Sequence, residues 1–152
     1  KFSSFFVKNN IENYSENRKY DLVISNTSLE HIENDEVAVL KMSELRDSNG
    51  LAIHIVPSPW ALILYLFHGY RQYNISKIKK MFKDDNYTIY KLGGLGTFLL
   101  HLITITLYER RYFAGKFRKR PIYNKLFNII IKIDIFLPFL PIFYGILIKP
   151  KK

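Results

Sequence analysis

Residues 19–60 read KYDLVISNTSLEHIENDEVAVLKMSELRDSNGLAIHIVPSPW, and this stretch decides the fold. YDLVIS, residues 20–25, is a nearly continuous apolar run of the kind buried on both faces of a parallel sheet. From Asn34 the period changes. Val37, Val39, Leu40, Met42 and Leu45, with Asp35 and Glu36 in front and Arg46 behind, predict an amphipathic helix whose charges complement its dipole. Asn34 is its expected N-cap and Ser48-Asn49-Gly50 its expected stop. LAIHIV, residues 51–56, is a second buried-type strand, with His54 alternating into a packed layer. Strand, helix and strand in this order predict a right-handed parallel crossover.

Between strand and helix lies SNTSLEHIEN, residues 25–34, which crowds Ser25, Asn26, Thr27, Ser28, Glu30 and His31 together without a glycine. Open parallel sheets bind ligands beyond the carboxyl ends of their strands. SNTSLEHI follows the first strand and PSPW, residues 57–60, follows the second, so both are expected on one rim.

Outward from this unit, FFVKN (5–9) predicts a short strand running into the turn-rich NIENYSENRK. After Trp60 come ALILYLF, HGYRQY (68–73) and a basic amphipathic helix over 76–83, with Ile75, Ile78, Met81 and Phe82 on its apolar side. YTIYKL (87–92) alternates like a strand, and GGLG (93–96) follows. Then come the apolar TFLLHLITITLY, a basic block, a second apolar segment over 122–136, LPFLP, and the closing strand YGILIKP.

A chain of 152 residues, 48% hydrophobic and 16% aromatic, holds one domain with a core and is too apolar for disorder. The absence of cysteine excludes disulfides, thiolate catalysis and thiolate zinc sites. The first residue is lysine and no basic-then-apolar leader precedes the first strand, so no signal peptide and a cytoplasmic location are expected. The net charge of +10 is concentrated late, in Arg110, Arg111, Lys116, Arg118, Lys119, Arg120 and Lys125 against the single acid Glu109.

The succession YDLVISN, LEHI, charged helix, S-N-G turn, LAIHIVPSPW and HGYRQY resembles the second half of a class I S-adenosylmethionine-dependent methyltransferase of the small-molecule group. Asp47-Ser48-Asn49-Gly50 stands where that family has a proline-glycine-glycine turn. YTIYKL and YGILIKP would be its final antiparallel pair. FFVKNNIENYS resembles the preceding strand and loop, where the family commonly has an acid on the adenine amino group. Asn10 occupies that place and can accept the same hydrogen bond. The family's glycine-rich loop and ribose-binding acid have no counterpart upstream of Phe5. GGLG does not replace that loop, since no acid ends the strand before it, and it reads as a tight turn or close backbone contact.

The resemblance thus implies an α/β fold: a partial Rossmann-like methyltransferase sheet with parallel strands and a C-terminal antiparallel pair. The domain, residues 1–152, would be truncated at its first strands and carry an apolar and basic insertion over 97–140. It implies S-adenosylmethionine as cofactor, bordered by Asn10, Ile11, Ser25 and Asn26. His31 would be a general base, or else a cap on the rim loop. Trp60, His68, Tyr70 and Arg71 would shape the acceptor pocket, although HGYRQY reads equally as a solvated turn. Glu30 is expected to bond loop amides. No two histidines have metal spacing, so no metal is expected.

The run over 129–148 has the length of a membrane span, but Lys132, Asp134, Pro138 and Pro141 interrupt it, and a helix followed by a terminal strand is expected. Two apolar segments around a basic block offer a peripheral contact to anionic lipid headgroups, or else a merely solvated basic face. No nucleic-acid motif accompanies the block. The expected function is methyl transfer to a small or lipid-linked acceptor. The contrary expectation is a non-catalytic methyltransferase remnant, a membrane-surface or protein-interaction module. Without its first strands the sheet would expose unpaired edges, to be completed by an oligomer or by an amino-terminal part.

Overall fold

The computed structural model describes residues 8–64, 71–109 and 119–150. The crossover unit forms as β1 (Tyr20–Asn26), α1 (Asp35–Leu45) and β2 (Arg46–Pro57), with the two strands parallel. Asn34 caps α1 by accepting a hydrogen bond from the Val37 amide at 3.4 Å. Helical spacing turns Ala38, Val39 and Met42 onto the sheet, while Leu40, expected on the same face, points to solvent.

The helix stops earlier than Ser48-Asn49-Gly50. Arg46 is already extended, and the pairing jumps from Tyr20 with Arg46 to Leu22 with Leu51, so residues 47–50 bulge out of β2. Asp47 accepts a hydrogen bond from the Asn49 amide at 2.9 Å, and Arg46 spans the bulge with an Nη1 bond to the Gly50 carbonyl at 2.9 Å. A Cβ at Gly50 would lie 2.8 Å from the Tyr20 carbonyl oxygen, so only glycine lets the strands close here.

The rest of the chain adds α2 (Ala61–Leu64), α3 (Ile75–Met81), β3 (Asn86–Leu92), α4 (Leu95–His101), α5 (Pro121–Asp134) and β4 (Phe143–Lys149). The chain leaves α4 with π-helical geometry over Leu102–Glu109. β4 runs antiparallel between β2 and β3, giving one mixed four-stranded sheet in the order β1-β2-β4-β3. The molecule is therefore α/β. The run over 129–148 is a helix, a break and a strand, and among the described residues no helix is long and apolar enough to cross a membrane. Of the expected strand FFVKN, residues 5–7 lie outside the described residues; Lys8 and Asn9 carry no regular structure and lead into a 3-10 turn, Ile11–Asn13.

Alternation divides the sheet into two faces. Ala52, His54 and Val56 of β2 and Tyr144, Ile146 and Ile148 of β4 form a core with Leu29, α1, Tyr73, Ile78 and Phe82. A second cluster joins Ala61, Leu64, Phe98 and Ile142. β1 departs from expectation: Leu22 and Ile24 are 48% and 57% exposed, and Leu51 beside Leu22 is also open. An apolar run is buried on both faces only where a layer lies on each side, and in the described residues β1 is a sheet edge covered on one face.

Candidate functional site

The carboxyl end of β1 is built as a tight exit. The Thr27 amide donates to the Ile55 carbonyl at 2.9 Å, holding the loop to the end of β2, and Thr27 takes a φ of 45°. That left-handed backbone is strained for a β-branched residue, and such strain collects at functional loops. A 3-10 turn follows, Leu29–His31. Leu29 seals the core, Glu30 is carried inside at 1% exposure, and His31 faces outward. Glu30 was expected to bond loop amides. Oε2 has no hydrogen-bond partner among the described residues, and Oε1 lies 3.9 Å from His31 Nε2. A buried carboxylate oxygen left unpaired is costly, and such groups call for a role.

Behind this turn sits a polar cluster around Asp35. Its buried carboxylate receives Arg71 Nη1 at 2.6 Å, Lys77 Nζ at 2.7 Å and the Tyr73 hydroxyl at 2.9 Å. Burial alone would raise the Asp35 pKa, but hydrogen bonds from Lys77 and Tyr73 and the charges of Lys77 and Arg71 outweigh it and hold it below the usual value. The same burial and the bond to Asp35 push the Tyr73 hydroxyl far up, so it stays a donor. Arg71 Nη2 also donates to the Glu33 carbonyl at 2.6 Å. The guanidinium expected to meet an acceptor is thus turned onto the start of α1, pinning residue 71 there. Asp35, Tyr73 and Lys77 were not legible as a site: their partners lie about forty positions apart, and only the acid at a helix start hinted at Asp35.

Ser25 and His54 pair across the two strands, Oγ to Nδ1 at 2.8 Å, both buried. The His54 ring stacks on Phe82 with centroids 5.3 Å apart. Burial, and then the Arg46 charge, lowers the His54 pKa to about 4, so the ring is neutral at physiological pH. Asn26 is exposed at the rim. Asn10 is exposed and caps its own turn, accepting from the Glu12 amide at 3.2 Å, while Ile11 packs on the main core. Glu12 in turn accepts from the Asn34 amide at 3.2 Å, which ties this turn to the start of α1. Trp60 is 42% exposed, with its amide donating to Ser58 Oγ at 3.2 Å. His68 and Tyr70 lie outside the described residues.

The glycine run is a socket for a side chain of this same chain. Asp134 accepts from the amides of Gly94 at 2.9 Å, Gly96 at 2.8 Å and Thr97 at 3.0 Å, and from the Thr97 hydroxyl. Gly93 takes a φ of 79°, a Cβ on Gly94 would strike the Leu137 carbonyl, and one on Gly96 would lie 2.8 Å from Ile130 Cγ2. From the sequence Asp134 is only an interruption in an apolar run. In the structure it occupies the amino-terminal end of α4, where an anion is favoured.

No cluster of three or more His, Cys, Asp or Glu side chains able to hold a metal lies among the described residues. No family model matches the chain, and no curated protein matches it. Among solved structures it is similar to the crystal structure of MccD protein, at 12% identity and a TM-score of 0.45, over 93% of this chain. The chain spans 64% of the length of that structure, and a likeness at this level carries no argument about what the chain does.

Proposed function

We propose that the rim of β1 and β2 is the methyl-transfer site of a partial class I methyltransferase sheet, using S-adenosylmethionine on a small or lipid-linked acceptor. The observation that carries this reading is the buried Glu30 Oε2, without a hydrogen-bond partner among the described residues, beside the outward-facing His31 at the carboxyl end of a parallel crossover. The closing antiparallel strands and the open edge of β1 support it as part of a larger sheet. The donor supplies an activated methyl group on a cationic sulfur. Glu30 Oε2 is closed to solvent, so a ligand bringing a cation or an N–H or O–H group would pair with it only as the Leu29–His31 turn yields. Asn26, exposed at the rim, would hydrogen-bond such a ligand. His31 would take the proton from an acceptor hydroxyl or amine as its oxygen or nitrogen gains the methyl group.

The second reading, a non-catalytic module, is favoured by a specific observation: the Ser25 hydroxyl is engaged by His54 and the Asn10 carbonyl by its own turn. Calorimetric titration with S-adenosylhomocysteine separates the two. Binding that weakens about tenfold in Glu30→Gln, with the melting temperature kept or raised, is expected for the enzyme. No heat from a folded chain at millimolar ligand would sink the methyltransferase reading and leave the module.

A further inference from the structure

Helix α5 carries two stripes. Tyr123, Phe127, Ile130 and Asp134 recur at helical spacing and turn inward: Tyr123 stacks on Phe127 at 6.0 Å, Phe127 meets the His101 edge at 6.0 Å, and Asp134 fills the glycine socket of α4. Ile122, Leu126, Ile129 and Ile133 recur at the same spacing on an adjacent face and are 69%, 43%, 50% and 47% exposed, and Phe136 in the turn just after the helix is 81% exposed. Lys125 and Lys132, both exposed, border this outer stripe on the side away from α4, as 3.6 residues per turn requires. Lys119 and Arg120 stand exposed at the helix start. The one acid of the helix, Asp134, is buried against its four donors, so the exposed surface of α5 presents no acid at all.

We propose that α5 lies in the surface of an anionic lipid bilayer. The outer stripe enters the acyl boundary, and Lys125 and Lys132 snorkel back to the headgroups. Charge decides the occupant. A second copy seated on this stripe would bring its own Lys125 and Lys132, in a chain of net charge +10, against the same cations. An anionic bilayer offers hydrocarbon to the stripe and negative charge to its border. Fourteen residues give a helix of about 21 Å, which suits lying in the interface and is too short to span it. The cationic run Arg110, Arg111, Lys116 and Arg118 enters α5 directly along the chain and has the matching sign. The inference stands apart from the methyl-transfer reading, since it rests on a different surface.

The test is co-sedimentation of the full chain with phosphatidylcholine vesicles, with and without phosphatidylserine. Binding is expected only with phosphatidylserine, and it should fall as salt is raised. Ile129→Gln/Ile133→Gln should weaken it at least about tenfold while leaving the far-ultraviolet spectrum and melting temperature unchanged, because both side chains already face solvent. Lys125→Glu/Lys132→Glu should weaken it on anionic vesicles alone. The proposal is overturned by three results: no binding to anionic vesicles, binding that survives the isoleucine pair, or a concentration-dependent dimer that the isoleucine pair abolishes in the absence of vesicle binding.

Discussion

His54 is an imidazole that the fold keeps neutral. Its pKa is lowered to about 4 by burial and by Arg46, against an unfolded value near 6.5. Below pH 6.5 the unfolded chain takes up a proton that the folded chain refuses, so stability should be full above that value and fall as the pH drops toward 4. The shift corresponds to roughly 3 kcal/mol across this window. Urea midpoints measured from pH 7.5 to 4 should decline in the native chain, and the decline should flatten in Ser25→Ala/His54→Leu, which removes both partners of the buried pair. Asp35 acts in the next window. Its lowered pKa adds stability that is present above about pH 4 and lost as the pH falls through the folded value. Asp35→Asn should cost about 2 kcal/mol at pH 7 by urea denaturation, less than the roughly 3–5 kcal/mol of a fully buried pair because Arg71 and Lys77 keep access to water. The burial of His54 was legible in the alternation of LAIHIV. The role of Asp35 was not, because Arg71, Tyr73 and Lys77 reach it only once α3 has packed.

At the scale of elements, boundaries set by local chemistry were readable and those set by distant contacts were not. Asn34 before Asp35 and Glu36 marks the start of α1 from its own residues. Its end is drawn by Arg46 bonding across the bulge and by the close approach of Gly50 to Tyr20, so the S-N-G triplet lies within β2 rather than ending the helix. GGLG likewise announced a turn, yet the reason for its glycines is Asp134, nearly forty residues on. That carboxylate joins α4 to α5, and its removal should loosen both. Asp134→Ala leaves three amides and a hydroxyl unpaired, for an expected loss of about 2–4 kcal/mol. Hydrogen exchange should localise the loss, with protection falling over residues 95–101 and 121–134 and holding in β2 and β4. Protection lost uniformly across the sheet would count against a local joint. Gly94→Ala should act the same way, since its Cβ meets the Leu137 carbonyl oxygen and the Asp134 side chain, which its donors hold in place.

At the scale of the whole molecule, the parallel crossover was legible in the periodicity of residues 20–56, whereas the antiparallel closing pair was expected only from the family resemblance. The placing of β4 between β2 and β3 was not legible, since strand order is settled by pairing between Ala52 and Ile148, 96 positions apart in the chain. Among the described residues that order makes β1 an edge, with Leu22, Ile24 and Leu51 open on one face. Edges of this kind pair with other strands. The apolar face adds roughly 1.5–3 kcal/mol for each large side chain that becomes covered. The chain should therefore associate through β1, with sedimentation velocity showing a weight that rises with concentration. Leu22→Lys/Ile24→Lys, which places charge on the edge and its open face, should return it to a monomer with an unchanged far-ultraviolet spectrum. Salt distinguishes this contact from the bilayer one: association driven by apolar burial should persist as salt is raised, whereas vesicle binding through α5 should fade. A chain that stays monomeric at every concentration, with or without the two lysines, would show that the open face of β1 is not a contact surface.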